Sequence, residues 1–197
     1  MADHYFAATP SSPSQPDAVQ LHLADMQMTL LTDRGVFSGH RVDPGTMALL
    51  RECAPPPLEG NLLDLGCGYG PLACALAHRA PGAVVWAVDV NSRALELTAA
   101  NAAALGLANV RAARPEEVPP ETVFTGIWSN PPIRVGKAAL HELLSAWMAR
   151  LAPRASAWLV VNRHLGGDSL AAWLTDRGWQ VRRAASKSGY RVLQVTR

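Results

Sequence analysis

A doubly wound α/β fold with a mostly parallel sheet is predicted by three observations. Strand-like and helix-like runs alternate from residue 61 onward. A glycine-rich turn follows the first of these strands, and an acidic residue closes the next. Residues 179–197 read as a closing strand pair. The chain has 197 residues, 49% of them hydrophobic and 17% charged, enough for one packed domain.

Residues 7–17 are rich in Pro and Ser and predict an arm without regular structure. Residues 19–23 alternate apolar and polar as a half-buried strand does, and Ala24-Asp25 turns the chain into a second strand around 26–31. Asp43-Pro44-Gly45 starts a helix backed by Met47, Leu49 and Leu50. Residues 1–58 are therefore expected to form an arm and appendage, too short for much of a core of its own, ahead of a domain at 59–197.

Within that domain, the expected strands are 61–65, 83–88, 109–113, 123–129, 157–161, 180–184 and 190–195. The first helix ends near Ala80, and Ser92 is expected to cap a second that runs to Gly106. A third follows Gly136, with Leu140, Leu143, Leu144, Trp147, Met148 and Leu151 on one face. Asp168 is expected to cap a fourth, ending at Gly178. The pattern predicts a seven-stranded sheet closed by an antiparallel C-terminal hairpin at its edge. The six tryptophans fall mostly in apolar strand or helix patterns and are expected in the core.

Composition narrows the function classes. No apolar run approaches the ~18 residues of a membrane span. The start, Met-Ala-Asp-His-Tyr-Phe, lacks the basic and apolar segments of a secretory signal. Cys53, Cys67 and Cys74 form no Cys-x-x-Cys pair, so neither a disulfide framework nor a metal site is expected. These features point to a cytoplasmic protein. The net charge of +2 neither demands nor excludes a nucleic-acid partner.

The sharpest local feature is Asp64-Leu65-Gly66-Cys67-Gly68-Tyr69-Gly70, between the first strand and first helix of the domain. Glycines there allow positive φ angles and close approach of backbone to ligand. In a doubly wound sheet this turn opens onto the crevice where ligands bind, and Asp89 ends the next strand where a carboxylate can accept both ribose hydroxyls. A dinucleotide fold wants Gly-x-Gly-x-x-Gly, but Pro71 occupies the third-glycine position. Asp64 ahead of the turn also suits a cationic ligand better than a pyrophosphate.

The second motif is Asn130-Pro131-Pro132-Ile133, at the end of the fourth strand. Two prolines fix their own φ angles and remove two amide donors, which is expected to leave their carbonyls free as acceptors. With the Asn130 oxygen, such a segment suits a planar NH₂ group. Acceptors aimed at its hydrogens stabilise the positive charge it gains as it attacks a methyl group.

The first motif resembles motif I of the class I S-adenosylmethionine-dependent methyltransferases, and Asp89 matches that family's ribose-binding acid. The resemblance implies a Rossmann-like methyltransferase sheet and S-adenosyl-L-methionine as cofactor. It would be held by the 64–70 loop, by Asp89, Val90 and Asn91, by Arg114 or Glu116 on the adenine side, and by Asn130. Asp64 would lie near the methionine amino group, with Gly66 and Gly68 turned to the cofactor. The family often has an Asp on the adenine amino group, where this chain has Ala113-Arg114-Pro115-Glu116.

The second motif is similar to that of amino-group methyltransferases acting on adenine N6, guanine N2 or a glutamine amide. An aromatic residue is usual at the fourth position in the adenine and glutamine enzymes, and here it is Ile133. Residues 130–137 with His141, together with His4-Tyr-Phe6, Thr32-Asp-Arg-Gly-Val-Phe-Ser38 and Val42-Asp-Pro-Gly45, resemble the small-domain methyltransferases. That family includes guanine-N2 methyltransferases of ribosomal RNA. The implied reaction is methyl transfer to an exocyclic amine, guanine N2 in ribosomal RNA or a ribosomal subunit. Asn130 and the Pro131 carbonyl would accept the hydrogens, and Phe37 and Ser38 would border the pocket.

Arg134 and Lys137 are expected to grip phosphates near the target, because a helix N-terminus is an electrostatically poor place for two idle cations. His141 is assigned no chemistry. Arg177, Arg182, Arg183, Lys187, Arg191 and Arg197 form either an RNA-backbone patch or the solvated face of an edge strand. The 7–17 arm is expected to close over a flipped base. Rival readings are methylation of adenine N6, a protein glutamine amide or a small-molecule amine. A nicotinamide-dependent oxidoreductase is disfavoured by Pro71. A non-catalytic binding module is disfavoured by the intact Asn130-Pro-Pro beside Asp89.

Overall fold

The computed structural model describes residues 12–197. The chain opens with an antiparallel hairpin, β1 (Asp17–His22) and β2 (Gln27–Thr32), followed by α1 (Pro44–Glu52). Alternation sets the hairpin's faces: Val19 and Leu21 on one strand, and Met28 and Leu30 on the other, are buried. These side chains join a core with Leu49 and Leu50 of α1, so the appendage shares its interior with the sheet. Asn101 stitches the two parts together. Its side chain bonds both the amide and the carbonyl of Leu31 and donates to the Tyr69 carbonyl.

Five parallel strands follow: β3 (Glu59–Leu65), β4 (Gly82–Val88), β5 (Val110–Ala113), β6 (Phe124–Ser129) and β7 (Leu151–Asn162). Between them run α2 (Pro71–Arg79), α3 (Ser92–Ala104) and α4 (Lys137–Met148). The chain ends with α5 (Gly167–Asp176), β8 (Gln180–Lys187) and β9 (Tyr190–Thr196). The sheet order is β5-β4-β3-β6-β7-β9-β8. The chain winds outward from β3 to β5, then β6 returns to the other flank of β3. That reversal opens a crevice at the carboxyl ends of β3, β4 and β6. One core cluster contains residues of α1, α2 and α3, and the other residues of α4 and α5.

Three expectations are corrected. Asn91, not Ser92, caps α3, its side chain accepting from the Ala94 amide at 3.2 Å. Gly166, not Asp168, precedes α5, and Asp168 in the first turn pairs with Arg191 of β9. Leu151 does not continue the apolar face of α4; it starts β7 and pairs with Phe124, so β7 is longer than its apolar centre. Sheet pairing recruits residues 151–156 whatever their local pattern.

The C-terminal hairpin closes the sheet at its edge, as expected. Its reversed strand, β9, lies inside the sheet between β7 and β8, leaving β8 at the edge. β9 buries Val192, Leu193 and Val195, whereas β8 carries Arg182 and Arg183, which suit an exposed edge. Among the tryptophans, Trp86, Trp128, Trp147 and Trp158 are buried, and Trp173 and Trp179 partly so. No helix of the described residues is long and apolar enough to cross a membrane.

Candidate active site

A cavity of about 390 Å³ occupies the crevice, within the size range of small-molecule sites. Its first wall is the turn between β3 and α2. Gly66, Gly68 and Gly70 take φ of +79°, +56° and +91°. A side chain on Gly66 or Gly68 would project into open space, which a closely approaching ligand can use instead. Gly70 has a different reason: a Cβ there would stand 2.9 Å from the Thr98 hydroxyl of α3. Leu65, Gly66 and Gly68 face the main cavity. Cys67 and Tyr69 are buried, bordering a smaller recess behind it, and Cys67 Sγ lies 3.7 Å from Thr98 Oγ1. Burial and the Asp43 carboxylate raise the Tyr69 phenol above its ordinary value.

Asp89 lies on the same wall. Its Oδ2 accepts from the Gly68 amide at 2.9 Å and its Oδ1 from the Asn91 amide at 3.0 Å. Burial raises its carboxyl despite those bonds. Val90 and Asn91 continue the wall, and Asn91 also donates to the Gly35 carbonyl at 2.9 Å. Asp64 is fully buried beneath the loop and does not face the cavity. One oxygen accepts from the Ala73 amide at 2.9 Å, and the other has no partner among the described residues. Burial, reinforced by the Asp89 charge, pushes its carboxyl up to about 8. In the segment expected on the adenine side, Pro115 reaches the cavity, while Arg114 donates to the Val90 carbonyl and Glu116 is not on the wall.

The opposite wall is built from Asn130 to Ile133, after β6, together with Phe37, Asn162 and Tyr190. Asn130 donates through Nδ2 to Asp43 Oδ2 at 2.8 Å and to Thr46 Oγ1 at 3.1 Å. The expectation that both proline carbonyls stay free is corrected. Pro131 O accepts from the Ile133 amide at 2.9 Å and Pro132 O from the Val135 amide at 3.2 Å, leaving one lone pair on each. The chain bends into a short 3₁₀ turn at residues 133–135, and its amides turn back on those oxygens.

Phe37 is 37% exposed and borders the cavity, so it is a wall residue and not a core aromatic. Ser38 holds a left-handed φ of 55°, donates to the Arg41 carbonyl and lines the small recess. Lys137 is exposed at the start of α4 and is not on the cavity wall. The side chain of Arg134 lies outside the described residues. His141 stacks on Trp173 at 3.9 Å, a packing role.

Sequence reading missed Asp43, Asn162 and Tyr190 as parts of this wall. Only Asp43 gave a local signal, as a helix start. Tyr190 fits against α1 because Gly45 has no side chain; a Cβ there would stand 2.7 Å from the ring. Asn162 is the strand partner of Tyr190, and burial and the Asp43 charge hold the Tyr190 phenol proton more tightly than usual.

Two peripheral expectations change. Residues 7–11 of the arm, and His4 to Phe6, lie outside the described residues. Residues 12–15 do not hang free: Ser14 and the Gln15 amide bond Asp33, and Arg93 bonds Ser12. Much of the C-terminal cluster of cations is engaged within the chain. Arg177 and Arg197 cover Trp173 and Trp179, Arg191 pairs with Asp168, and Lys187 with Glu52. The acids come from α1 and α5, because residues 177–197 contain neither Asp nor Glu. Among the described residues, no group of three His, Cys, Asp or Glu is placed to hold a metal.

Comparison with known proteins gives one consistent picture. A family model described as methyltransferase small domain matches residues 27–194. The chain is 32% identical to uncharacterized protein YbxB of Bacillus subtilis over 99% of its own length and 98% of that protein's. It is 33% identical to ribosomal RNA small subunit methyltransferase C of Aeromonas hydrophila over 74% of its length, but only 43% of the relative's. Among solved structures, the T. thermophilus 16S rRNA N2 G1207 methyltransferase in complex with AdoMet and guanosine superimposes with a TM-score of 0.79. The identity is 28%, covering 94% of this chain and 51% of that one. The chain thus spans about half the length of these ribosomal RNA methyltransferases.

Proposed function

Because the chain belongs to the methyltransferase small-domain family and is an S-adenosylmethionine-dependent methyltransferase, we propose that its acceptor is the N2 amine of guanine in ribosomal RNA. The observation that carries this reading is one cavity shared by the glycine turn, Asp89 and Asn130. The residues fit the cofactor. Gly66 and Gly68 leave open the space a close ligand needs, and Asp89 keeps acceptor capacity beside it for ribose hydroxyls. When bound, S-adenosylmethionine supplies an activated sulfonium methyl group. The chain then has to supply alignment and charge stabilisation, not a strong base.

Asn130 would accept one hydrogen of the target amine, and the remaining lone pair of the Pro131 carbonyl a second. Ile133 and Phe37 offer apolar surface to a flat base, and Leu165, 50% exposed, extends it at the cavity wall. A base reaches such a crevice only from a single strand or after flipping out of a helix. Ribosomal RNA as substrate also implies a cytoplasmic location. Support for guanine N2 comes from Ile133 in place of an aromatic residue and from the guanosine complex named above.

The test is transfer of labelled methyl from S-adenosylmethionine to unmodified ribosomal RNA, free and as subunits, followed by nucleoside analysis. The expected product is N2-methylguanosine. In Asn130→Ala, kcat should fall by about 10²- to 10³-fold, with a much smaller change in cofactor affinity. Label in N6-methyladenosine, in a protein amide or in a small amine instead would overturn the guanine assignment.

A further inference from the structure

The N-terminal appendage touches the acceptor motif through an unusually crowded carboxylate oxygen. Asp43 caps α1, its Oδ2 accepting from the Gly45 amide at 2.7 Å and the Thr46 amide at 3.0 Å. The same oxygen accepts from Asn130 Nδ2 at 2.8 Å, and Thr46 Oγ1 accepts from that nitrogen at 3.1 Å. A carboxylate only accepts, so the Asn130 atom facing it has to be the nitrogen. Both amide protons are then committed toward α1, and the planar group turns Oδ1 away from that helix.

We propose that Asp43 and Thr46 are positioning residues that lock the Asn130 amide in the one flip presenting its oxygen to the acceptor amine. The proposal rests on the exocyclic-amine reading above. In the opposite flip, Asn130 would set two donors against a donor and stabilise no developing charge. The lock is in place before any substrate arrives, as electrostatic preorganisation requires. It is carried by a rigid support, since α1 packs on β7 and β9 with Leu49 and Leu50 buried.

Two substitutions separate the lock from the cap. Asp43→Ser keeps a good N-cap but is too short to reach Asn130. Thr46→Val keeps the shape and removes the second acceptor. The first readout needs no acceptor: solvent exchange of the Asn130 side-chain amide protons by NMR on the full chain, the resonance being assigned by its loss in Asn130→Asp. Each variant should speed that exchange by about tenfold. The second readout is methyl transfer, where kcat should fall about 10- to 100-fold with unchanged affinity for S-adenosylhomocysteine and unchanged melting temperature. Asp43→Asn, which can place an oxygen where Oδ2 lies, should recover most of the loss. Unchanged exchange in both variants, or faster exchange with unchanged kcat, would overturn the lock. If the wild-type chain methylates no amine, the proposed function fails, and the exchange measurement still decides whether the lock exists.

Discussion

The two walls of the cavity are built in opposite ways. The proposed cofactor wall comes mainly from two short turns, residues 64–70 and 89–91, whose shape follows from positive-φ glycines and one strand-end carboxylate. The proposed acceptor wall brings together Phe37, Asp43, Asn130, Asn162 and Tyr190, from segments far apart in the chain. Local backbone chemistry shapes the first wall, so its defects should show up as strain or lost cofactor. Hydrogen bonds between distant elements hold the second, so its defects should show up in turnover with cofactor binding intact.

The glycine turn offers the largest expected effect. Gly70→Ala meets both a left-handed φ and the Thr98 side chain, and should destabilise the fold by about 2–5 kcal/mol in chemical denaturation. Gly68→Ala meets open space, so strain of about 1–2 kcal/mol is expected, together with weaker cofactor binding. Equal losses of stability in the two variants would erase the distinction between packing and ligand-facing glycines.

Asp89→Ala should come next, weakening S-adenosylhomocysteine binding by about 10- to 100-fold in calorimetry. The same substitution should leave the Asn130 hydrogen bonds undisturbed, because Asp89 touches neither partner.

Asp64 predicts a pH effect. Its folded carboxyl lies at about 8 and its ordinary value at 3.8, with burial as the main cause. Between those values the folded chain keeps a proton that the unfolded chain has released, so stability falls as pH rises through the window. Asp64→Asn should flatten that decline when melting temperature is followed from pH 4 to pH 8. An unchanged slope would mean the buried carboxylate does not titrate there.

The smallest expected effect belongs to the acceptor wall. Phe37→Ala should raise the KM for the RNA substrate by about 3- to 10-fold, with cofactor affinity unchanged. A parallel loss of cofactor affinity would show that the two walls are not separable at this residue.

Much of this architecture was legible from residue order. The seven strands, the Asp43 cap and the glycine turn each have a local signature: apolar runs, a capping carboxylate, a Gly-x-Gly-x-Gly spacing. The misread features have competitors from elsewhere in the chain. Ser92 lost the cap to its neighbour Asn91, and Asp168 was drawn to Arg191 of β9. Residues 151–156 became strand because β6 was there to pair with. The proline carbonyls were quenched when the chain turned sharply after them.

The sequence by itself determined the turns, the periodicity of each element and the chemistry of the two motifs, because these depend on interactions within a few residues. Only the tertiary structure decided that an α1 cap would hold the Asn130 amide, and that Asn162 and Tyr190 would complete the acceptor wall. Those contacts depend on how α1 packs across β7 and β9 and on where β9 enters the sheet. Such placement is set by the collective burial of the two cores, which no local stretch of residues encodes.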